Sequence, residues 1–338
     1  MEHLKYIIGR LLYGVLVLVI VSIFISSLIY LGQVDPSRLT FGQRADIETV
    51  ESKRAELGLN KPLKVQLWEY LVDLSPLQLL ADDRRDNVSY SYVALVNFGK
   101  KDFIVKKPYL RKSFQTGRNV SSMLAEAIPL TIYLALSAFI IALILGVLFG
   151  LCSALNYNSI LDKTILAFTA FGYSLPSYVI AMAFALLFAW FLGPFTGLNL
   201  QGSIYEIDEL GNDVVRWKNL LLPALSLGVR PLSVITQITR SAILDIINAP
   251  YVRTAKAKGL AYAQILRKHV LANAKNVIGT ASLGWLASLL TGAFFVETVF
   301  NYKGLGSLTV NALLSYDLPL ILGCILCCLL YTSPSPRD

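Results

Sequence analysis

The segment AIPLTIYLALSAFIIALILGVLFGLCSAL, residues 127–155, decides the fold, because its 29 residues contain no charged side chain. About 20 apolar residues are enough for a helix to cross the hydrocarbon layer of a membrane. The whole chain is 55% hydrophobic and only 15% charged, whereas roughly 25% of the residues in a soluble domain are charged. These figures predict a membrane protein rather than a soluble protein with a large core.

Other apolar runs predict further spans. They are Leu11–Leu31, Ile165–Leu192, Leu220–Thr239 and Asn276–Val296, and a sixth run, Leu318–Tyr331, stops after 14 residues. The first is too long for the apolar core of a signal peptide and is interpreted as a retained span. The predicted fold class is an all-α membrane protein, a polytopic bundle of about six transmembrane helices whose last helix is cut short.

Loop charges predict the orientation of these spans. Residues 240–275 hold seven cations and one anion, whereas residues 193–219 hold two cations and four anions. Because cytoplasmic loops are enriched in Lys and Arg, the first loop is predicted to be cytoplasmic and the second external. Alternating crossings then place the N-terminus in the cytoplasm and the long loop 32–126 outside.

The chain therefore divides into four predicted parts. They are an N-terminal segment with the first span (1–31), an external loop region (32–126), a transmembrane domain (127–331) that contains the cytoplasmic loop 240–275, and an atypical tail (332–338).

Composition argues against several other functions. The formal net charge of +8 lies mostly in loops, where membrane proteins carry it, so nucleic-acid binding is not expected. The four cysteines lie in apolar runs and do not form a disulfide framework. The two histidines, His3 and His269, have no Cys, Asp or Glu at ligand spacing, so no metal site is expected. No Ser/His/Asp pattern suggests hydrolysis.

The segment YVRTAKAKGL, residues 251–260, is short, basic and interrupted by Gly259. Asn248 or Pro250 can begin a helix, the alanines favour it, and the glycine is placed to end it. Helical spacing resumes from Tyr262, so the segment is predicted to form a helix, a glycine break and a second helix. Composition alone would also fit an ordinary basic cytoplasmic loop.

The same segment resembles the EAA loop of ABC-transporter permeases, and with the later HVLANA (269–274) it resembles the dipeptide/oligopeptide/nickel family of those permeases. Further matching motifs are ELGLNKPLKVQ (56–66), LLPALSLG (221–228), GAFFVETVFNYKGLGSL (292–308) and YDLPLILG (316–323). Three features depart from the pattern: an insert between about Leu74 and Pro108, Arg253 in place of the acidic residue, and the short last span.

The resemblance implies that the loop holds a coupling helix, which docks on a separate ATPase subunit. The residues assigned to this contact are Asn248, Ala249, Pro250, Tyr251, Arg253, Thr254, Ala255, Lys256, Ala257, Lys258 and Gly259. The chain has no G-x-x-x-x-G-K-[ST] motif, so it is expected to carry no cofactor and to leave ATP to that subunit. The further implied partners are a second, similar permease subunit, an external solute-binding protein and the lipid bilayer of a bacterial inner membrane.

Three residues are candidates for a transport pathway or gate. Arg230 lies in an apolar run, where it could line the pathway, pair with a carboxylate, snorkel, or mark a span that begins only after Pro231. Pro176 is expected to kink the third span, which would shape either the pathway or the packing. Glu297 could be a gating or ion-pair residue at the outer face, or an exposed carboxylate at a helix end.

Two other functional classes remain open at this stage. An ion-coupled secondary transporter would require intramembrane carboxylates, and none of the five full spans contains Asp or Glu. A membrane protein whose external loop carries the function would need a catalytic pattern there, and loop 32–126 contains none that can be named. An ABC importer of di- or oligopeptides is therefore the predicted function, with nickel or a sugar-like solute as the second choice of cargo.

Overall fold

The computed structural model describes residues 47–81, 92–97, 101–208 and 210–332, together with isolated positions between 9 and 27. The predicted first span, Leu11–Leu31, and residues 333–338 of the predicted tail lie largely or wholly outside the described residues. Most of the described chain is helical. The helices are α1 (Ile47–Glu56), α2 (Leu63–Leu74), α3 (Val120–Leu155), α4 (Ile160–Ser174), α5 (Ser177–Phe184), α6 (Gly193–Thr196), α7 (Lys218–Ile247), α8 (Pro250–Ala257), α9 (Tyr262–Ile265), α10 (Ala272–Val299), α11 (Leu305–Leu314) and α12 (Leu318–Thr332).

The strands correct the expectation of an all-α chain. β1 (Leu77–Ala81), β2 (Tyr92–Asn97) and β3 (Lys101–Lys106) form an antiparallel sheet in the order β1-β3-β2, inside the predicted external loop 32–126. β4 (Tyr205–Ile207) and β5 (Asp213–Val215) form a small hairpin in the other predicted external loop. β2 to β5 are rich in Val, Ile, Tyr and Phe, the residues that fit a pleated surface, whereas β1 consists mainly of leucine. Span-length apolar runs were an incomplete guide because short strands leave a weaker signal than spans do.

Contacts divide the chain into two compact units, Met1–Glu126 with Leu308–Asp338, and Ala127–Ser307. In the first unit Asp317, immediately before α12, accepts hydrogen bonds from Ser113 Oγ and from the backbone N–H of Phe114 at 3.0 Å. Asp73 of α2 accepts from Arg111 Nε at 2.7 Å. Charged groups therefore hold the described part of the loop and the last helix of this unit together.

In the second unit, α3 and α7 pack with almost no space between them. A Cβ atom on Gly146 would meet Ile235 Cγ2 at 2.9 Å, and one on Gly150 would meet Thr239 Cβ at 2.5 Å. Further along the pair, a Cβ atom on Gly228 would meet the backbone oxygen of Ala138 at 3.0 Å. Gly146 and Gly150 form a G-x-x-x-G motif, which lets two membrane helices approach closely.

Four of the predicted spans correspond to helices of the second unit. Within the described residues, α3 and α7 are each long and apolar enough to cross a membrane alone. Two bent helix pairs, residues 160–191 and 262–299, also pass this test when each is taken together. α12 confirms the predicted helix at Leu318 but has only 15 residues, so the total number of spans remains a prediction.

The third predicted span is broken rather than kinked, which corrects the expectation for Pro176. α4 ends at Ser174, Leu175 is extended with φ −80° and ψ 139°, and Pro176 precedes the first residue of α5. The two parts meet at 110°. Proline disfavours the helical conformation of the residue before it and has no N–H to continue the helix. After α5 the chain continues as a π-helix, Ala185–Phe191.

The segment predicted to be the cytoplasmic loop, residues 240–275, is largely helical. α7 continues to Ile247, so residues 240–247 form the last part of that helix. At the other end α9 passes through a π-helix, Leu266–Leu271, directly into α10. The connection between the two long helices is therefore α8 with its flanking turns.

Candidate coupling surface and pathway residues

α8 is a short helix with a defined beginning and end. Ala249 is extended, with φ −65° and ψ 146°, and Pro250 occupies the first helical turn, where its missing N–H costs nothing. At the other end Gly259 has φ +74°. The Gly259 N–H donates to Lys256 O at 3.0 Å, and the Leu260 N–H donates to Ala255 O at 3.4 Å. This is a Schellman C-cap, and it confirms the predicted helix with a glycine stop.

One face of α8 is anchored in the second unit. Val252 and Ala255, three residues apart, are buried, with Val252 at 0% exposure. They belong to one apolar cluster with residues from the ends of α3, α7 and α10, from α9 and from the π-helix that follows α9. Its other buried members are Ala154, Ala242, Ile243, Ile265, Val270, Ala274 and Ile278. Sequence reasoning missed Val252, although its spacing to Ala255 is the signal for a shared helix face.

The other face of α8 is exposed and basic. Arg253 and Lys256 are exposed, as are Thr254, Ala257 and the C-cap residue Lys258. Among the residues that the structure describes, none of the three cations has a salt-bridge partner. Tyr251 is 45% exposed and adds an aromatic ring to this side. The helix thus presents cations and small side chains outward while two apolar residues hold it in place.

Asn248 fixes the turn that leads into α8. Its side-chain Nδ2 donates to Leu244 O at 3.0 Å, so it satisfies a carbonyl in the last turn of α7. A carbonyl left without a donor at a helix end would otherwise need water or another cap. The Asn248 side chain therefore caps the end of α7 immediately before α8 begins.

Arg230 lies within α7, which begins at Lys218. The helix therefore continues through Arg230 and Pro231, and the alternative in which the membrane span begins only after Pro231 stays a prediction. The guanidinium carbon lies 5.5 Å from the centre of the Tyr173 ring on α4, within the range of a cation–π contact. No carboxylate pairs with Arg230 within the described chain, and its Nε is buried without a hydrogen-bond partner there.

Pro176 is exposed at the corner between α4 and α5. Glu297, by contrast, is fully buried at 0% exposure. The alternative of an exposed carboxylate at Glu297 is wrong. No cation pairs with Glu297 in the part of the chain that the structure describes.

Hydrogen-bond donors surround the Glu297 carboxylate instead. Thr131 Oγ1 on α3 donates to Oε1 at 2.7 Å, and the Ser307 N–H in the first turn of α11 donates to Oε2 at 3.0 Å. Thr131 Oγ1 also accepts from the Leu305 N–H at 2.7 Å. A carboxylate at a helix N-terminus is stabilised by the free N–H groups and the helix dipole. Glu297 thus joins the end of α10 to α3 and to the start of α11.

Nothing in the described chain resembles a metal centre. No group of three or more His, Cys, Asp or Glu side chains is placed to hold an ion within the ranges that the structure describes.

Comparison with known proteins gives a consistent set of relatives. A family model described as "Binding-protein-dependent transport system inner membrane component" matches residues 142–335, and the N-terminal model of such components matches residues 3–135. The chain is 32% identical over 323 residues to a peptide transport system permease protein of Brucella abortus (strain 2308), covering 95% of this chain and 90% of that one. It is 29% identical over 318 residues to a glutathione transport system permease protein of Salmonella choleraesuis (strain SC-B67), covering 94% and 89%.

An inward-facing MetNI methionine ABC transporter aligns with a TM-score of 0.47 and 15% identity, covering 63% of this chain and 94% of that chain. An amino acid ABC transporter aligns with a TM-score of 0.43 and 17% identity, covering 63% and 90%.

Proposed function

The chain belongs to the family of binding-protein-dependent transport system inner membrane components, and on that premise we propose how it moves its cargo. It is the permease subunit of an ABC importer and is not an enzyme, since ATP hydrolysis lies on a separate subunit. We propose that α8 is the element on which that ATPase acts. The observation that carries this proposal is the two-sided character of α8, with buried Val252 and Ala255 on one side and three exposed cations on the other.

The proposed orientation follows from charge. Residues 240–275 carry seven cations and one anion, so α8 faces the cytoplasm, where an ATPase has access to ATP. The N-terminus is then cytoplasmic, and the region 32–126, with its three-stranded sheet, is external. An external solute-binding protein delivers cargo on that side.

The proposed mechanism is alternating access driven through a rigid connection. An ATPase pair that closes on ATP pushes α8, and the apolar cluster around Val252 transmits the push to the ends of α3, α7 and α10. A packed apolar cluster transmits displacement because protein interiors are close-packed and resist compression. A second, similar permease subunit completes the pathway. ATP binds on the partner, and this chain holds no cofactor of its own.

The proposed cargo is a di- or oligopeptide. Relatives of this chain are described as permeases of peptide and of glutathione transport systems, and both solutes contain peptide bonds. We assign Arg230 to the pathway, because a half-buried guanidinium without a carboxylate partner in the described chain is able to attract a carboxylate of the solute.

Purification of the tagged chain from its native membrane tests this function. A P-loop ATPase and a second permease are expected to co-purify, and proteoliposomes containing the complex are expected to accumulate a labelled dipeptide only when ATP reaches the ATPase. Uptake that follows an ion gradient without ATP would support a secondary transporter and would overturn the proposal.

A further inference from the structure

Asp162, in the first turn of α4, is the most completely bonded charged group of the second unit that the structure describes. It is 2% exposed. Its carboxylate accepts from Arg240 Nε and Nη2, each at 2.8 Å, from Ser153 Oγ, and from the Asn158 N–H at 2.9 Å. Arg240 lies 78 residues away in the sequence, on α7.

The chemistry of this contact makes it a rigid connection. Two parallel hydrogen bonds between a guanidinium and a carboxylate fix both distance and orientation. The Arg240 guanidinium also lies 5.3 Å from the centre of the Tyr157 ring, in the turn between α3 and α4. Removal of one partner would leave a buried charge without compensation. The pair therefore ties the beginning of α4 firmly to α7.

The position of Arg240 relates this connection to the coupling surface. Ala242 and Ile243, which follow it on α7, are buried in the apolar cluster that also holds Val252 and Ala255 of α8. α7 therefore carries both the ion pair with α4 and the apolar contact with α8, and only one or two of its residues lie between them. A displacement of α8 reaches the ion pair through this single stretch of helix.

A second pair of contacts joins the far end of α4 to the same helix. A Cβ atom on Gly172 would meet Val229 Cγ1 at 2.9 Å, and Tyr173 faces Arg230 across 5.5 Å. α4 is thus held to α7 near both of its ends. Directly beyond the second contact the chain breaks at Pro176, where α5 departs at 110°.

We propose that Asp162 and Arg240 are positioning residues that make α4 and α7 move as one body when the ATPase displaces α8. This inference rests on the proposed function of α8. The pair converts a push on α8 into a movement of α4 and so of the corner at Pro176, where the third span can open or close the pathway. Neither residue touches cargo or nucleotide.

Uptake and ATP hydrolysis, measured on the same proteoliposomes, test the proposal. Asp162→Asn keeps the shape of the side chain and removes its charge. We expect the ATPase to co-purify as before and to hydrolyse ATP at a similar rate, while peptide uptake falls about 10-fold or more, within the range of typical allosteric coupling. The ATP consumed per peptide would rise by the same factor. Arg240→Lys, which keeps the charge but cannot form two parallel bonds, should have an intermediate ratio.

The matched control is the exposed ion pair Arg118–Glu126, whose side chains are 53% and 62% exposed. Glu126→Gln should leave the ratio unchanged. If Asp162→Asn lowered uptake and hydrolysis in equal proportion, the pair would be merely structural and the proposal would fail. An unchanged uptake would overturn it as well. If no ATPase accompanied the unaltered chain, the proposed function itself would fail, which is a distinct result.

A distance measurement covers the case in which Asp162→Asn does not insert. Spin labels are attached in place of exposed Leu161 on α4 and exposed Ser241 on α7. Asp162 and Arg240 are left unchanged, and the native cysteines are changed to alanine. In samples that still take up peptide, the distance distribution should be the same with and without bound nucleotide. A distribution that shifts between the two nucleotide states would show that the helices move separately and would overturn the proposal.

Discussion

Thr131 Oγ1 lies 2.7 Å from Glu297 Oε1, and both residues are buried although 166 positions separate them in the sequence. The contact joins α3 to the end of α10, and through the Ser307 N–H it also holds the first turn of α11. Glu297 thus serves as an anchor for the turn Phe300–Gly304. A carboxylate that accepts several hydrogen bonds in this way has a stabilising role that requires no gating motion.

Glu297→Gln is therefore expected to destabilise the protein. An amide offers one acceptor oxygen where the carboxylate offers two, so either Thr131 or Ser307 loses its partner, at a cost of about 1–3 kcal/mol. Thermal unfolding in detergent would measure the loss, with the exposed Glu126→Gln as control. If Glu297 were a gate instead, uptake would fall while the unfolding temperature stayed the same.

Gly150→Ala tests the close packing of α3 against α7. The added methyl group would meet Thr239 Cβ at 2.5 Å and Thr236 O at 2.6 Å, so the helices must separate, at a cost of about 1–3 kcal/mol. Gly279→Ala is the matched control, since a Cβ there has no neighbour within 4 Å in this chain. Equal unfolding temperatures for the two variants would contradict the packing described here.

The sequence predicted local features well and distant pairings poorly. Long apolar runs gave the positions of α3, α7 and α10, because a helix must satisfy its own backbone in lipid wherever it crosses. Gly259 predicted the end of α8 for an equally local reason, because glycine readily adopts the positive φ that this helix end requires and that Gly259 has. The G-x-x-x-G motif at 146–150 is a local signal for close helix packing that sequence reasoning missed. By contrast, nothing near Asp162 indicates Arg240, because folding alone brings those two side chains together.

The break at Pro176 shows where a local rule is incomplete. Proline predicts an interruption, but the size of the bend depends on what the following helix packs against. The sheet in the external region was missed for a related reason. β1, β2 and β3 each have only five or six residues, so their sequence signal is much shorter than that of a membrane span.

Gly259 offers a test of the C-cap of α8 that separates backbone strain from bulk. Because a Cβ there has no neighbour within 4 Å, a larger side chain would meet no obstacle. Its φ of +74° is nevertheless costly for a β-branched residue and tolerable for asparagine. Gly259→Val should therefore uncouple ATP hydrolysis from uptake without preventing insertion, whereas Gly259→Asn should retain most uptake. Unimpaired uptake by the valine variant would contradict the role assigned to this turn.

The exposed cations of α8 predict an electrostatic contribution to ATPase binding. Lys256→Glu combined with Lys258→Glu reverses two exposed charges without touching Val252 or Ala255, so the helix itself should persist. Charges at the rim of an interface act mainly on the association rate, which should fall roughly 10-fold at low salt. The difference should shrink above about 0.15 M salt, where screening acts over about 8 Å.

Lys275→Glu is the control for that pair, since it reverses an exposed cation of the same basic segment on α10, outside α8. Surface binding assays with the purified ATPase and the permease in nanodiscs would compare the variants over a range of salt concentrations. If Lys275→Glu slowed association as much as the double variant, the attraction would come from the net charge of the segment and not from the exposed face of α8. If neither slowed it, the ATPase would recognise α8 through Arg253, Tyr251 and the small side chains beside them, since those are the other groups that this face presents.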